Sequence, residues 1–321
     1  MSHRSEITMK PNLDDAPLLS TAGWVKIGVL AALLCLVYWD VLRGTLAGRW
    51  LDDPNWSHGW LIPVFSLYFL YSHRDELRAI QPRPNWLGAP ILVAALALFF
   101  FAVQVRMAYP QAFSIVVAIF GLTLLIGGLS VIRYAWFPIC FLLLAVPLPQ
   151  RLYVDITLPL RELATKVATA ALPILVPGLY AESQAVVIEY VLPGAGAEKG
   201  RLNVEEACSG MRLLMAFVTL GVAMAYLRPR PAWQRIILVL SCLPISIVCN
   251  GIRVTITGWL HVKDMSEWAQ GTPHELLGMA MLGLALGLYA LLAYILDNLL
   301  VEASDDPGLA ASDGGHAGGN A

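Results

Sequence analysis

The stretch Val154–Leu175, VDITLPLRELATKVATAALPIL, decides the topology of the chain. It is long enough to cross a bilayer, yet it carries Asp155, Arg161, Glu162 and Lys166. Charges on a lipid-facing helix are costly. The segment therefore reads as an amphipathic helix lying at the membrane interface. A crossing here would reverse the side on which every later segment emerges.

Outward from this segment the chain is apolar. Hydrophobic residues make up 58% of its 321 residues and charged residues only 14%, against about 25% charged in an ordinary soluble domain. The few charges sit between long apolar runs, which is the pattern of a protein dissolved in lipid. Eight runs read as spans: Trp24–Leu42, Ser57–Tyr71, Trp86–Val105, Ala112–Leu129, Tyr134–Leu148, Gly210–Leu227, Ile236–Ile252 and Glu275–Leu296. Trp24, Tyr71, Trp86, Tyr134 and Tyr226 at their ends fit an interfacial belt.

Short loops holding Arg74, Arg78 and Arg83, then Arg133, then Arg228, Arg230 and Arg235 fall on one side. The opposite loops hold Arg43 and Arg49, beside Asp52 and Asp53, and then Arg106. The more basic side is the cytoplasm, which places both termini there. The expected fold is an all-α polytopic membrane protein of about eight transmembrane helices. An outer-face amphipathic helix and a small β-hairpin lie between spans five and six. Residues 1–23 form a cytoplasmic tail, 24–297 the membrane domain with its outward insert 149–207, and 298–321 a disordered cytoplasmic tail. In the insert, Ala185–Leu192 (AVVIEYVL) has strand composition. Pro193–Gly196 reads as a turn, and Arg201–Val204 as a returning strand.

On this topology three polar outliers meet at one membrane face. Cys208, in NVEEACSGMRLL, precedes span six; Arg253, in NGIRVTITGW, closes span seven; His274, in GTPHELLG, opens span eight. Of the five cysteines only Cys208 lies among polar residues. A thiolate is the reactive form of cysteine, and the start of a helix favours the anion. Arg253 keeps its charge and suits a thiolate or an oxyanion. His274 titrates near neutrality and suits general acid–base work. Together they describe an acyl-transfer site. Arg212, one turn after Cys208, rivals Arg253 for the cationic role. His58, in NWSHG, falls at the same face; His261 lies outside in a more polar loop and reads as incidental. Glu205 and Glu206 suit a helix start, but carboxylates beside a thiol raise its pKa and call for a compensating cation.

Other chemistries lack their residues. HELLG ends in Gly278 where a zincin needs its second histidine. No metal-ligand spacing of cysteines and no glycine-rich phosphate loop occurs, so neither metal nor cofactor is expected. A net charge of −2 without a basic stripe excludes a nucleic-acid partner. A transporter or polysaccharide-export subunit without catalysis is the alternative class. It needs polar groups along span centres, and these are nearly all apolar here.

The residues resemble the exosortases, of the exosortase/archaeosortase superfamily. The resemblance rests on ACSGMR around Cys208, NGIRV around Arg253, PHELLG around His274 and WSHGWLIP near the N-terminus, and it covers residues 24–297. It implies a cysteine protease/transpeptidase of the bacterial inner membrane, with its site facing the periplasm. The implied substrates are membrane-anchored proteins with a C-terminal sorting signal of the PEP-CTERM kind: a short motif, a transmembrane helix and a basic cluster. Cleavage near the motif precedes transfer to an acceptor, a glycan or water, in bacteria that export exopolysaccharide. The resemblance assigns the family's Cys, Arg and His to Cys208, Arg253 and His274. Asn250, three residues before Arg253, falls on a similar helical face and suits orienting it.

Overall fold

The computed structural model describes residues 21–192, 198–204, 210–265 and 271–299. It is a helical protein with one small sheet. In chain order the main elements are α1 (Thr21–Val37), α2 (Leu61–Ser72), α3 (Gly88–Gln104), α4 (Ala108–Phe141), α5 (Gln150–Leu175), β1 (Tyr180–Gln184), β2 (Val187–Leu192), β3 (Glu198–Asn203), α6 (Gly210–Tyr226), α7 (Ala232–Leu240), α8 (Cys242–Val262) and α9 (Gly271–Asn298).

Among the described residues, three runs are long and apolar enough to cross a membrane: Ala108–Ala145, Ala232–Val262 and Leu276–Asn298. A fourth exists if Thr21–Val37 and Val41–Asp52, bent by 76°, count as one broken span. This is a helical membrane protein, with fewer uninterrupted spans than the eight apolar runs of the sequence. Local geometry is the reason. A π-helical stretch, Val41–Gly48, and a 3-10 stretch, Pro54–Trp60, interrupt the chain and leave α2 only 12 residues long. Ala112–Leu129 and Tyr134–Leu148 fall in one helical run through α4, broken at Gly128, where φ is +70°. Only glycine adopts that conformation readily. A Cβ there would also collide with the Arg83 carbonyl.

Burial is organised around three apolar clusters. One joins α2, α3 and α4 through Phe69, Ile115, Phe137 and Phe141, with Phe69 and Phe137 ring centroids 4.8 Å apart. A second joins α6 to α9 through Phe217, Leu238, Cys249 and Tyr289. The third lies under the sheet, where Ala164, Ala168 and Leu172 of α5 meet Ile188, Leu202, Val204 and Val254.

The sheet is antiparallel in the order β1-β2-β3, one strand more than the sequence suggested. Tyr180–Gln184 was not read as a strand because its YAESQ composition is polar and short; pairing along β2 supplies the hydrogen bonds it needs. β2 and β3 pair from Val187↔Asn203 to Leu192↔Glu198.

α5 is a continuous helix of 26 residues. Tyr153, Thr157, Arg161, Ala164, Thr165, Ala168 and Leu172 are its buried stripe, recurring three and four residues apart as one helical face requires. That stripe is covered by protein. Val167 lies 3.1 Å from where a Cβ on Gly251 would be, and Leu172 lies 3.1 Å from the same point on Gly258. Rising numbers on α5 meet rising numbers on α8, so the two helices run side by side in the same direction. Glycine on α8 permits the close approach.

Candidate functional site

The clearest polar feature of the interior lies where α5, α6 and α8 meet. Thr157, Leu160 and Arg161 of α5, Leu214 of α6, and Ser246, Ile247 and Asn250 of α8 line one cavity of about 20 Å³. That is room for roughly one water molecule. Arg161 and Thr157 are each 4% exposed, Asn250 8% and Ser246 6%. Most hydroxyls here are spent on their own helices. Thr157 donates to the Tyr153 carbonyl at 2.9 Å, and Ser246 to the Leu243 carbonyl at 2.8 Å. The Oδ1 of Asn250 has no hydrogen-bond partner among the described residues. A buried acceptor left so costs about 1–3 kcal/mol.

Arg253 lies one turn beyond Asn250 on α8 and is 1% exposed. Its setting corrects the sequence reading in one respect. The apolar run ends at Ile252, which placed Arg253 at a span end, but α8 continues to Val262. Arg253 is held inside the protein, flanked by Val254 of the third cluster. A snorkelling arginine keeps its head in water; this one does not. His261 is likewise placed in the last turn of α8 rather than in a loop, and its Nδ1 is 2.8 Å from the Tyr190 hydroxyl of β2. It ties the sheet to the helix.

His58 sits in the 3-10 stretch, which the Asp53 side chain starts by accepting from the Asn55 amide at 3.0 Å, with Pro54 at its first position. Its ring stacks on Trp56 at 5.9 Å, and Trp56 meets Tyr153 of α5 at 5.9 Å. Both ring nitrogens are buried without a hydrogen-bond partner among the described residues. Tyr153, Thr157 and Arg161 share the buried face of α5, so His58 joins the same flank without lining the cavity.

The remaining sequence candidates are placed less fully. Cys208 and Glu205 lie outside the described residues. Arg212 falls in the first turn of α6 and His274 in the first turn of α9, with their side chains outside the description. Of the predicted set, the described structure therefore places Asn250 and Arg253 together on α8, while His58 is reached only through Trp56 and Tyr153. Arg161 was counted in the sequence only as a charge that spoils a span. Its place in the stripe Tyr153-Thr157-Arg161-Ala164-Ala168-Leu172 was the signal for a buried cation. Among the described residues no three His, Cys, Asp or Glu side chains gather as metal ligands.

Chemically, the corner offers fixed positive charge and an amide, out of water, at the meeting of three helices. Such an arrangement suits an anion or a developing oxyanion. The family model described as transmembrane exosortase matches residues 50–291 of the chain, a range that takes in α2 to α8, the sheet and most of α9. No curated protein and no solved structure matches it.

Proposed function

Since the chain belongs to the transmembrane exosortase family, we propose that it is a membrane-embedded cysteine transpeptidase acting on proteins with a C-terminal sorting signal. Family membership supports a membrane enzyme of the sorting type. The finer reading is a PEP-CTERM-like motif followed by a transmembrane helix, cut at the periplasmic face of a bacterial inner membrane with both termini cytoplasmic. The product passes to an acceptor, a glycan or water, in the service of exopolysaccharide-linked export.

The observation that carries this reading is the burial of Arg253 next to Asn250, beside a polar cavity and away from the lipid surface. In the proposed reaction the Cys208 thiolate attacks the scissile carbonyl carbon, and the carbonyl oxygen becomes an oxyanion. Arg253 stabilises that charge, and Asn250, one turn away on the same helix, is a supporting candidate. The carbon–nitrogen bond then breaks, and His274 as imidazolium gives its proton to the leaving amine. A thioester remains on Cys208. The acceptor loses a proton to His274, attacks the thioester carbon and releases the thiolate. Arg212 and Glu205 are supporting candidates, and His58 a positioning candidate on the α5 flank.

The test is direct. Cys208→Ala and Cys208→Ser should insert and fold as the parent does but release no processed product from a substrate tagged beyond its C-terminal helix. Normal processing by both variants would end the proposal.

A further inference from the structure

β3 is the last strand of the sheet, so one of its two sides has no strand beside it. The register says which residues that side offers. Val204 donates its amide to the Val186 carbonyl at 2.9 Å, and the ladder continues from Val187↔Asn203 to Leu192↔Glu198. In an antiparallel pair, residues that exchange hydrogen bonds alternate with residues whose N–H and C=O point away. Val204, Leu202 and Gly200 therefore bond to β2, while Lys199 and Arg201 turn their main-chain groups to the open side. Among the described residues no backbone group outside the ladder bonds to either of them. Such a row of free N–H and C=O groups is a template for another extended chain.

The side chains give this edge a sign. Alternation along the strand puts Lys199 and Arg201 on the outer face of the sheet, and both are exposed. The inner face is already occupied. Leu202 packs in the third cluster. The Tyr190 ring fills the place of a Cβ on Gly200, and its hydroxyl is engaged with His261. Glu189 stands opposite Arg201 and Val191 opposite Lys199 in the register. Among the described residues neither cation forms an ion pair. The other edge of the sheet is different in charge. There β1 carries Tyr180, Glu182 and Gln184 on the same outer face, one acid and no cation.

Resting on the sorting-enzyme reading above, we propose that the open edge of β3 is a docking site for the substrate. An extended, carboxylate-bearing stretch next to the substrate's transmembrane helix pairs with β3 as a fourth strand, its acidic side chains beside Lys199 and Arg201. In this mode main-chain bonds supply affinity and alternate side chains supply selectivity. A second copy of this chain is a poor occupant, because β3 against β3 sets cations beside cations, and like charges across a strand pair repel.

The probe is a short fluorescent peptide with glutamate at alternate positions, compared with the same peptide carrying glutamine. Each is titrated with the full-length protein in lipid nanodiscs and read by fluorescence anisotropy. The glutamate peptide should bind about three- to tenfold more tightly, the scale of two exposed ion pairs. Lys199→Glu combined with Arg201→Glu should reverse that preference. Arg201→Pro removes an N–H that faces the open side and no ladder bond. It should weaken both peptides about fivefold or more, and raise KM for the tagged substrate with kcat near the parental value. In strand addition only every second peptide amide faces β3. N-methylation of one alternate set should therefore abolish binding, and methylation of the other set should leave it intact.

The absence of saturable binding by the glutamate peptide overturns the proposal. So does equal binding by the two methylated peptides. An unchanged preference in the folded Lys199→Glu/Arg201→Glu protein moves the site off β3 and leaves the two cations as guards against strand pairing. If Arg201→Pro fails to insert, the methylated peptides decide, since they are read on the parent protein. Cys208→Ala should bind both peptides as the parent does. Normal processing by that variant removes the enzyme reading and leaves the peptide result standing.

Discussion

Arg230 and Arg253 are both buried arginines, and their settings differ. Arg230, in the turn between α6 and α7, is fully answered. Its Nε donates to Asp297 Oδ1 at 2.9 Å, its Nη2 to Asp297 Oδ2 at 2.8 Å, and its Nη1 to the Met224 carbonyl at 3.0 Å. Beside it, Gln234 donates to the Leu296 carbonyl at 3.0 Å. The paired carboxylate raises the already high pKa of Arg230. This is a clamp that fixes the end of α9 to α7. Arg253 sits mid-helix on an α8 that carries no carboxylate. It lies a turn from an asparagine oxygen lacking a hydrogen-bond partner among the described residues, and Arg161 lines the cavity with that asparagine. A buried acceptor left so costs folding free energy. Local rules are broken in this manner where a protein works rather than where it only holds together. On the proposed reading one arginine is architecture and the other is chemistry.

The sharpest way to break this contrast is Arg253→Lys. The charge survives, but the planar fork does not. If Arg253 faces an oxyanion, processing should fall about 100- to 1,000-fold, the range for loss of one such donor. Thermal stability in nanodiscs should stay near that of the parent. A lysine variant that processes substrate at the parental rate would make Arg253 a second structural arginine and erase the distinction.

The converse substitution is Asp297→Asn. It removes the charge that answers Arg230 and should cost about 2 kcal/mol, the scale of charge-assisted hydrogen bonds. The measurement is a lowered unfolding midpoint. Processing at a temperature where the variant remains folded should change less than about threefold, which is under 1 kcal/mol. Loss of activity without loss of stability would show that the clamp end also serves the reaction.

The sequence disclosed the two arginines unequally. Lipid solubility was legible from the apolar runs, and α5 from its mixed charges, because both depend on composition and period. Asn250 and Arg253 were legible as a pair because i and i+3 share a helical face. Three things were not. α8 runs ten residues past Ile252, where the apolar run was taken to end, which turns Arg253 from an interfacial group into an interior one; helix ends depend on packing that composition does not encode. The strand Tyr180–Gln184 exists only through its partner. Arg161 looked like an obstacle to burial because a single charge is scored by its cost to lipid. Its neighbours on the stripe, read at helical spacing, put it instead against α8 and away from lipid. Cys208 and Glu205, on which the sequence reading turned, lie outside the described residues.

The smallest expected effect tests how far the chemical corner extends along α8. The Tyr190 hydroxyl and His261 Nδ1 are 2.8 Å apart, with the rings edge to face at 6.0 Å. This contact joins β2 to the last turn of α8, two turns beyond Arg253. Tyr190→Phe deletes one hydrogen bond and keeps the ring. It should cost about 1 kcal/mol of stability, as a half-buried neutral hydrogen bond does, and leave processing within about threefold. Arg253 is buried beside Val254 of the third cluster, and α8 is packed on α5 at Gly251 and Gly258, so loosening the helix end should not move it. If Tyr190→Phe instead depressed processing as deeply as Arg253→Lys, the sheet would be part of the reacting site. The contrast would then lie between the Arg230 clamp and the whole α5–sheet–α8 unit, not between two single side chains.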